Sequence, residues 1–162
     1  MWPIQDAHPV QRAISLFYYL NDNDPMYKNM SIEEYATSQH SEENWLVRFL
    51  NNEMYGALDD RHLVTAKEVL ASKCLVGLMQ EFTLSFYRFD AYFGWSDTEF
   101  GGPIPLHDRG ACESRIMDNP ENVQSHPYFD EGDEVWELLM TKNQLDMNLY
   151  EYAIHLNTNK SE

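Results

Sequence analysis

The feature that most constrains the fold is a short apolar run, Lys73 to Met79, in a chain whose other patterns are helical. The core of this run, Cys74-Leu75-Val76-Gly77-Leu78, is uncharged and apolar on both alternating faces, which is typical of a buried parallel strand. A parallel strand needs neighbours in a sheet, and the sequence offers almost no second run of this kind. We therefore predict a mostly helical chain with one short buried strand near 73–79, and we expect the rest of its sheet to lie outside this sequence.

Helical spacing of apolar residues predicts helices on both sides of the strand. One helix is expected over Glu42–Asn51, and its buried residues are expected to be Trp45, Val47 or Leu46, and Phe49-Leu50. Another covers Phe82–Phe93, where Gly94 is a suitable end. From Trp95 to about Pro120, glycine and proline recur without periodicity, which predicts a long loop. The remaining helices are expected to begin at Pro9, at the capping box Ser31-Ile32-Glu33-Glu34, at Asp59 or Asp60, before Val135, and at Asn143, with Asp146 three residues on.

Composition argues against a nucleic-acid-binding protein and against a membrane-spanning segment in this sequence. The chain has 162 residues, enough for a single domain with a core, and a formal net charge of −16. With 11 Lys and Arg against 27 Asp and Glu, there is no basic stripe for nucleic acid. No apolar run approaches the roughly 20 residues of a membrane span. Cys74 and Cys112 stand far apart, so a disulfide between them is left open, and no histidine or cysteine spacing predicts a metal site.

One segment carries a recognisable pattern: Ala7-His8-Pro9-Val10-Gln11-Arg12-Ala13-Ile14-Ser15, followed by Leu16-Phe17-Tyr18-Tyr19. P-loop sulfotransferases grip the 3′-phosphate of their donor, 3′-phosphoadenosine 5′-phosphosulfate, with an Arg-x-Pro-x-x-Arg-x-x-Ser pattern followed by aromatic residues. The segment resembles that pattern at the proline, the second arginine and the serine. Alanine stands at the position of the first arginine.

The resemblance continues along the chain in the family's order. Four further segments resemble later helices and strands of these enzymes, most of all in the membrane-anchored carbohydrate sulfotransferases. They are Ser31-Ile32-Glu33-Glu34-Tyr35-Ala36, Asn44-Trp45-Leu46-Val47-Arg48-Phe49-Leu50, Ala66-Lys67-Glu68-Val69-Leu70 with Leu75-Val76-Gly77-Leu78 and Glu81-Phe82, and Asn143-Gln144-Leu145-Asp146-Met147-Asn148-Leu149-Tyr150-Glu151-Tyr152-Ala153. By this parentage the fold class is α/β, and residues 1–162 form a single partial sulfotransferase-like domain.

The resemblance also implies site residues. Ser15 is the expected ligand of the donor's 3′-phosphate, and Arg12, three residues earlier on the same helix, is a second candidate because arginine binds phosphate bidentately. Ser125 and His126 lie where the family has a polar loop over the same phosphate. Either Arg12 or His8 is a candidate to replace the positive charge that Ala7 lacks.

Two parts of the family's machinery are not found. No Lys-Thr-Gly-Gly-Thr-like loop, which would cradle the 5′-phosphosulfate, occurs in the sequence, and Gly101-Gly102-Pro103 has no lysine beside it. The region that supplies the catalytic base is also absent, so no catalytic residue is assigned. The implied reaction, once these parts are supplied, is sulfuryl transfer from the anionic nucleotide donor to a hydroxyl, expected on a glycan, in the Golgi lumen if the protein is eukaryotic. The alternative is an inactive fragment or a helical interaction module that uses Phe82–Phe93.

Overall fold

The computed structural model describes residues 2–6, 8–94, 127 and 129–159. Within these residues the chain is mostly helical, with two short strands. The elements in chain order are β1 (Trp2–Asp6), α1 (Pro9–Asn23), α2 (Ile32–Thr37), α3 (Trp45–Asn51), α4 (Asp60–Lys73), β2 (Cys74–Leu78), a 3-10 turn (Met79–Glu81), α5 (Phe82–Phe93), α6 (Glu134–Lys142) and α7 (Gln144–Asn159). The predicted mostly helical character and the strand near 73–79 are confirmed.

A second strand, which the sequence did not predict, lies beside the first. Strands β1 and β2 pair in parallel, with Trp2 opposite Cys74 and Asp6 opposite Leu78. The segment before α1 lacks the continuous apolar character of a buried strand, since it includes Pro3, Gln5 and Asp6. The α/β class remains a proposal, because a pair of strands does not define the larger sheet of that class.

Strand β2 and helix α5 approach so closely that only glycine fits between them. A Cβ atom on Gly77 would lie 2.6 Å from Cζ of Phe89 and 2.9 Å from Cβ of Ser85. The Ser85 hydroxyl accepts a hydrogen bond from the Leu78 amide at 2.8 Å and donates to the Leu78 carbonyl at 3.1 Å. Helix α5 is thereby fixed against the carboxyl end of β2.

Two apolar clusters form the core of the described residues. The first joins α1, α2 and α6. The second joins α3, α4, β2 and α7. Fully or nearly fully buried members are Val10, Ala13, Ile14, Phe17, Tyr35 and Leu139 in the first cluster, and Val47, Ala66, Leu70, Leu149 and Ala153 in the second. The buried polar residues lie mostly where these two clusters meet, and that junction includes the candidate site.

The predicted capping box of α2 is confirmed: the Glu34 amide donates to the Ser31 hydroxyl and the Ser31 amide donates to the Glu34 carboxylate. Helix α3 begins at Trp45, three residues later than predicted, because Asn44 adopts a left-handed conformation with φ of 47°. The prediction that Trp45 and Phe49 are buried is wrong, since they are 40% and 53% exposed. The burial predicted for Val47 or Leu46 is confirmed for both residues, because the first turn of α3 is held against α7.

No helix in the described part of the chain is both long enough and apolar enough to cross a membrane.

Candidate functional site

The hydroxyl of Ser15 is the most accessible of the predicted ligand groups that lie within the described residues. Helix α1 begins at Pro9, shortly after β1 ends at Asp6. Ser15 lies in the second turn of α1 with its side chain exposed, and no hydrogen bond joins it to another described residue. Ligands of sheets with parallel strands commonly bind near the carboxyl ends of the strands, where the following helices begin. The Ser15 hydroxyl therefore faces solvent on the first helix after such a strand.

The guanidinium of Arg12, in contrast, is held by two carboxylates. Its Nε donates to Oε1 of Glu42 at 2.7 Å, and its Nη2 donates to the same oxygen and, at 2.8 Å, to Oδ2 of Asp146. The Arg12 side chain is 24% exposed, Glu42 7% and Asp146 0%. These three residues, which we call the Arg12 triad, carry a net charge of −1 when all are ionised.

The carboxylate of Asp146 also caps helix α3. Its Oδ2 accepts from the Leu46 amide at 2.9 Å and its Oδ1 accepts from the Val47 amide at 2.8 Å. A helix leaves its first amides without partners, and a negative charge is stabilised at this end of the helix dipole. One buried side chain on α7 thus meets both the first turn of α3 and the arginine of α1.

The side chain of Asn44 in turn caps the first turn of α7. Its Oδ1 accepts from the amides of Leu145 and Asp146 at 2.8 and 3.1 Å. The predicted start of this helix at Asn143 is confirmed, since α7 begins at Gln144 and the Met147 amide donates to the Asn143 carbonyl at 2.8 Å. The Asn143 side chain itself accepts from the Asn44 amide at 2.9 Å and donates to the carbonyls of Glu42 and Leu139. The side chain that caps α7 therefore comes from Asn44, about 100 positions away in sequence.

An aromatic pair covers the Arg12 triad on one side. The rings of Trp45 and Phe49, one helical turn apart on α3, stack with centroids 5.2 Å apart and an interplanar angle of 8°. The guanidinium carbon of Arg12 lies 5.4 Å from the centroid of the Trp45 ring, within cation–π range. The contact with Trp45 adds to those that hold the guanidinium in place.

The free energies of the two kinds of contact indicate whether Arg12 stays with its carboxylates or binds a phosphate. Burial raises the pKa of Glu42, although the neighbouring guanidinium of Arg12 opposes the shift. Removing the cation from a buried ion pair costs about 3–5 kcal/mol, because a buried charge is left uncompensated. A charge-assisted hydrogen bond to a phosphate contributes only about 1.5–3 kcal/mol. Arg12 therefore stays with its carboxylates even when an anion is present nearby.

His8 does not supply the missing positive charge at neutral pH. Its ring stacks on Trp136 with centroids 5.0 Å apart and meets the edge of Tyr150 at 5.4 Å. Its Nδ1 is buried without a hydrogen-bond partner in the described structure. Burial lowers the pKa of His8 below its usual 6.5, against a smaller opposing effect of Glu131. The imidazole is consequently mostly neutral at pH 7.

The same shift makes stability depend on pH. Because the pKa of His8 is lower in the folded chain than in the unfolded one, the unfolded chain binds more protons below pH 6.5. This contribution to stability is fully present above pH 6.5 and is lost as the pH falls through the lowered folded-state value. We expect the difference in unfolding free energy between pH 7 and pH 5.5, from urea titrations, to be smaller in His8→Phe. Equal differences in the two proteins would contradict this account.

The remaining predicted site residues have no described position. Ser125 and His126 lie outside the described residues, as do Ala7 and Cys112.

The thiol of Cys74 is buried, which raises its pKa. No group of three or more metal-binding side chains occurs among the residues with described positions. An open cleft of about 280 Å³ lies between β2, α5 and α7, lined mainly by Leu75, Val76, Ala91, Tyr92 and Leu156.

Comparison with known proteins gives no relative: no protein-family model, no curated protein and no solved structure matches the chain.

Proposed function

We propose that this chain is the part of a sulfotransferase-like enzyme that binds the 3′-phosphate of 3′-phosphoadenosine 5′-phosphosulfate, with the hydroxyl of Ser15 as the ligand. The observation that carries the proposal is the exposed hydroxyl of Ser15, without a hydrogen-bond partner in the described residues, on the helix that follows β1. A serine hydroxyl donates readily to a phosphate oxygen. The in-order resemblance of the sequence to these enzymes supplies the identity of the ligand.

The charges around Ser15 indicate weak binding. Arg12 is neutralised by Glu42 and Asp146, and His8 is mostly neutral at pH 7. The protein as a whole carries a formal charge of −16, which repels a polyanionic nucleotide. With neither Arg12 nor His8 available as a cation, we expect the overall affinity to be low and the hydroxyl of Ser15 to supply the contact that recognises the 3′-phosphate.

The complete reaction requires groups that this sequence does not contain in recognisable form. In sulfuryl transfer the bond from sulfur to the donor's bridging oxygen breaks, a bond to the acceptor oxygen forms, and a general base takes the acceptor's proton. A phosphate-binding loop and cations have to offset the charge that develops on the leaving phosphate. We propose a carbohydrate hydroxyl as the acceptor, and we expect no turnover from this chain alone.

Calorimetric titration of the full chain with adenosine 3′,5′-bisphosphate tests the proposal. We expect binding that weakens about tenfold or more in Ser15→Ala, since a hydrogen bond to a charged ligand contributes about 1.5 kcal/mol or more. Alanine has the higher helix propensity, so the substitution does not threaten α1. The matched control is Ser72→Ala, an exposed serine on α4, which should bind like the original protein.

Two outcomes would overturn the proposal: no binding of the bisphosphate, or equal binding by the Ser15→Ala and Ser72→Ala variants. Adenosine 5′-monophosphate serves as the second ligand, since it lacks the 3′-phosphate. Its affinity should be unchanged in Ser15→Ala, because the hydroxyl is assigned to the 3′-phosphate alone.

A second candidate function is a helical interaction module, and one observation favours it. Helix α5 buries Ser85 and Phe89 against β2 but exposes Leu84, Tyr87 and Tyr92 by 45%, 52% and 55%. Exposed apolar side chains that cluster on one element are typical of contact surfaces. If the bisphosphate does not bind, this second function is the one to test, with Tyr87→Lys and Tyr92→Lys as variants in cross-linking experiments.

A further inference from the structure

We propose that Arg12 is a positioning residue, which fixes the helix that carries Ser15 and makes no contact with the phosphate. The inference rests on the proposed function, because it assigns a role relative to the ligand of Ser15. It differs from the role that the sequence pattern implies for Arg12, which is direct phosphate binding.

The guanidinium of Arg12 is directed at its two carboxylate partners. Nε and Nη2, which form one edge of the planar group, both point at the carboxylates of Glu42 and Asp146. This edge is the one that would otherwise form a bidentate contact with phosphate. Nη1 makes no hydrogen bond within the described residues, so a phosphate contact through Nη1 alone is the competing arrangement.

The carboxylate of Asp146 also joins α3 to α7. Asp146 caps the first turn of α3, and Asn44, immediately before that helix, caps the first turn of α7. This α3–α7 junction is fixed by hydrogen bonds from backbone amides to the side chains of Asp146 and Asn44, and none of these bonds involves α1. The hydrogen bonds of Arg12 to Glu42 and Asp146 connect helix α1 to this junction. Ser15 follows Arg12 by three residues, on a neighbouring position of the same helix.

The rest of α1 is held by apolar contacts. The buried face of α1, which includes Ala13, Ile14 and Phe17, packs in the cluster with α2 and α6. Apolar contacts of this kind are not directional. The ion pairs of Arg12 are directional, so they set the position of Ser15 relative to α3 and α7.

Substitution of Glu42 separates the two roles. If Arg12 positions α1, Glu42→Gln loosens the helix, and binding of adenosine 3′,5′-bisphosphate should weaken about threefold to tenfold. If Arg12 binds the phosphate, the loss of a competing carboxylate should strengthen binding. The matched control is Glu43→Gln, which removes the same charge from the adjacent residue, whose partner is Arg48 and not Arg12. Binding to the Glu42→Gln variant that equals or exceeds binding to Glu43→Gln would overturn the inference.

A second variant keeps the test decisive if Glu42→Gln does not fold. Arg12→Lys retains the charge but has a single donor group, which does not span two carboxylates as a guanidinium does. We expect it to lose affinity for the bisphosphate by a similar factor while its affinity for adenosine 5′-monophosphate stays unchanged. A purely structural role would change both affinities together, and direct ligation would preserve most of the bisphosphate affinity. Either result contradicts the inference, whereas failure of the original protein to bind contradicts the proposed function itself.

Discussion

Replacing Asp146 by alanine is expected to lower the free energy of unfolding by about 3–5 kcal/mol, the cost of breaking a buried charge pair. The substitution leaves the guanidinium of Arg12 with one carboxylate in place of two. It also leaves the amides of Leu46 and Val47 in the first turn of α3 without their buried acceptor. Few domains have a reserve of stability that is large compared with such a loss.

Chemical denaturation monitored by circular dichroism measures this effect. Asp22→Ala is the matched control, since it removes an exposed aspartate from α1 and should change stability by less than about 0.5 kcal/mol. Asp146→Asn should fall between the two, because an amide oxygen still accepts from α3 but carries no charge for Arg12. A loss for Asp146→Ala no larger than that for Asp22→Ala would refute the role of Asp146 as a buried cap.

Replacing Gly77 by alanine is expected to cost about 3 kcal/mol, at the upper end of the usual range for overpacking. The added Cβ would lie 2.6 Å from the Phe89 ring and 2.9 Å from Cβ of Ser85. Both neighbours are buried, so neither has space into which it moves without cost. The hydroxyl of Ser85 bonds the backbone of Leu78, which resists a shift of α5 away from β2.

A double-mutant cycle assigns this effect to its cause. Phe89→Leu removes the ring atoms that the new Cβ would meet, so the double variant Gly77→Ala/Phe89→Leu should lose less stability than the sum of the two single variants. Residues in contact typically couple by about 0.5–3 kcal/mol. Strictly additive losses would show that the close approach of β2 and α5 is not the reason for the glycine.

Local sequence signals predicted elements whose cause is local. The capping box of α2 needs only Ser31 and Glu34, three residues apart, and both of its hydrogen bonds form. Strand β2 follows from five uncharged residues in a row, and α5 ends at Gly94 in the left-handed conformation that glycine favours. In each case the relevant interactions lie within a few residues of one another in sequence.

The Arg12 triad could have been anticipated in part. Asn143, just before α7, and Asp146, Leu149 and Ala153 on α7 recur at helical spacing, and all four are buried. An acid within a buried stripe needs a compensating partner, so the spacing alone indicates that Asp146 meets a cation or amide groups. Which partners it meets does not follow from spacing, because Arg12 lies 134 residues and Leu46 100 residues away in sequence.

The predicted strand β2 is therefore one of two strands in the described part of the chain. The sequence by itself determined that this chain is mostly helical, with one buried strand near 73–79, because apolar periodicity and capping act over a few residues. Only the tertiary structure decided that Trp2–Asp6 pairs with that strand, that Trp45 and Phe49 face outward, and that Arg12 is bound to Glu42 and Asp146. These outcomes depend on which side chains meet across the fold, where burial makes an ion pair or a cap strong enough to override local preference.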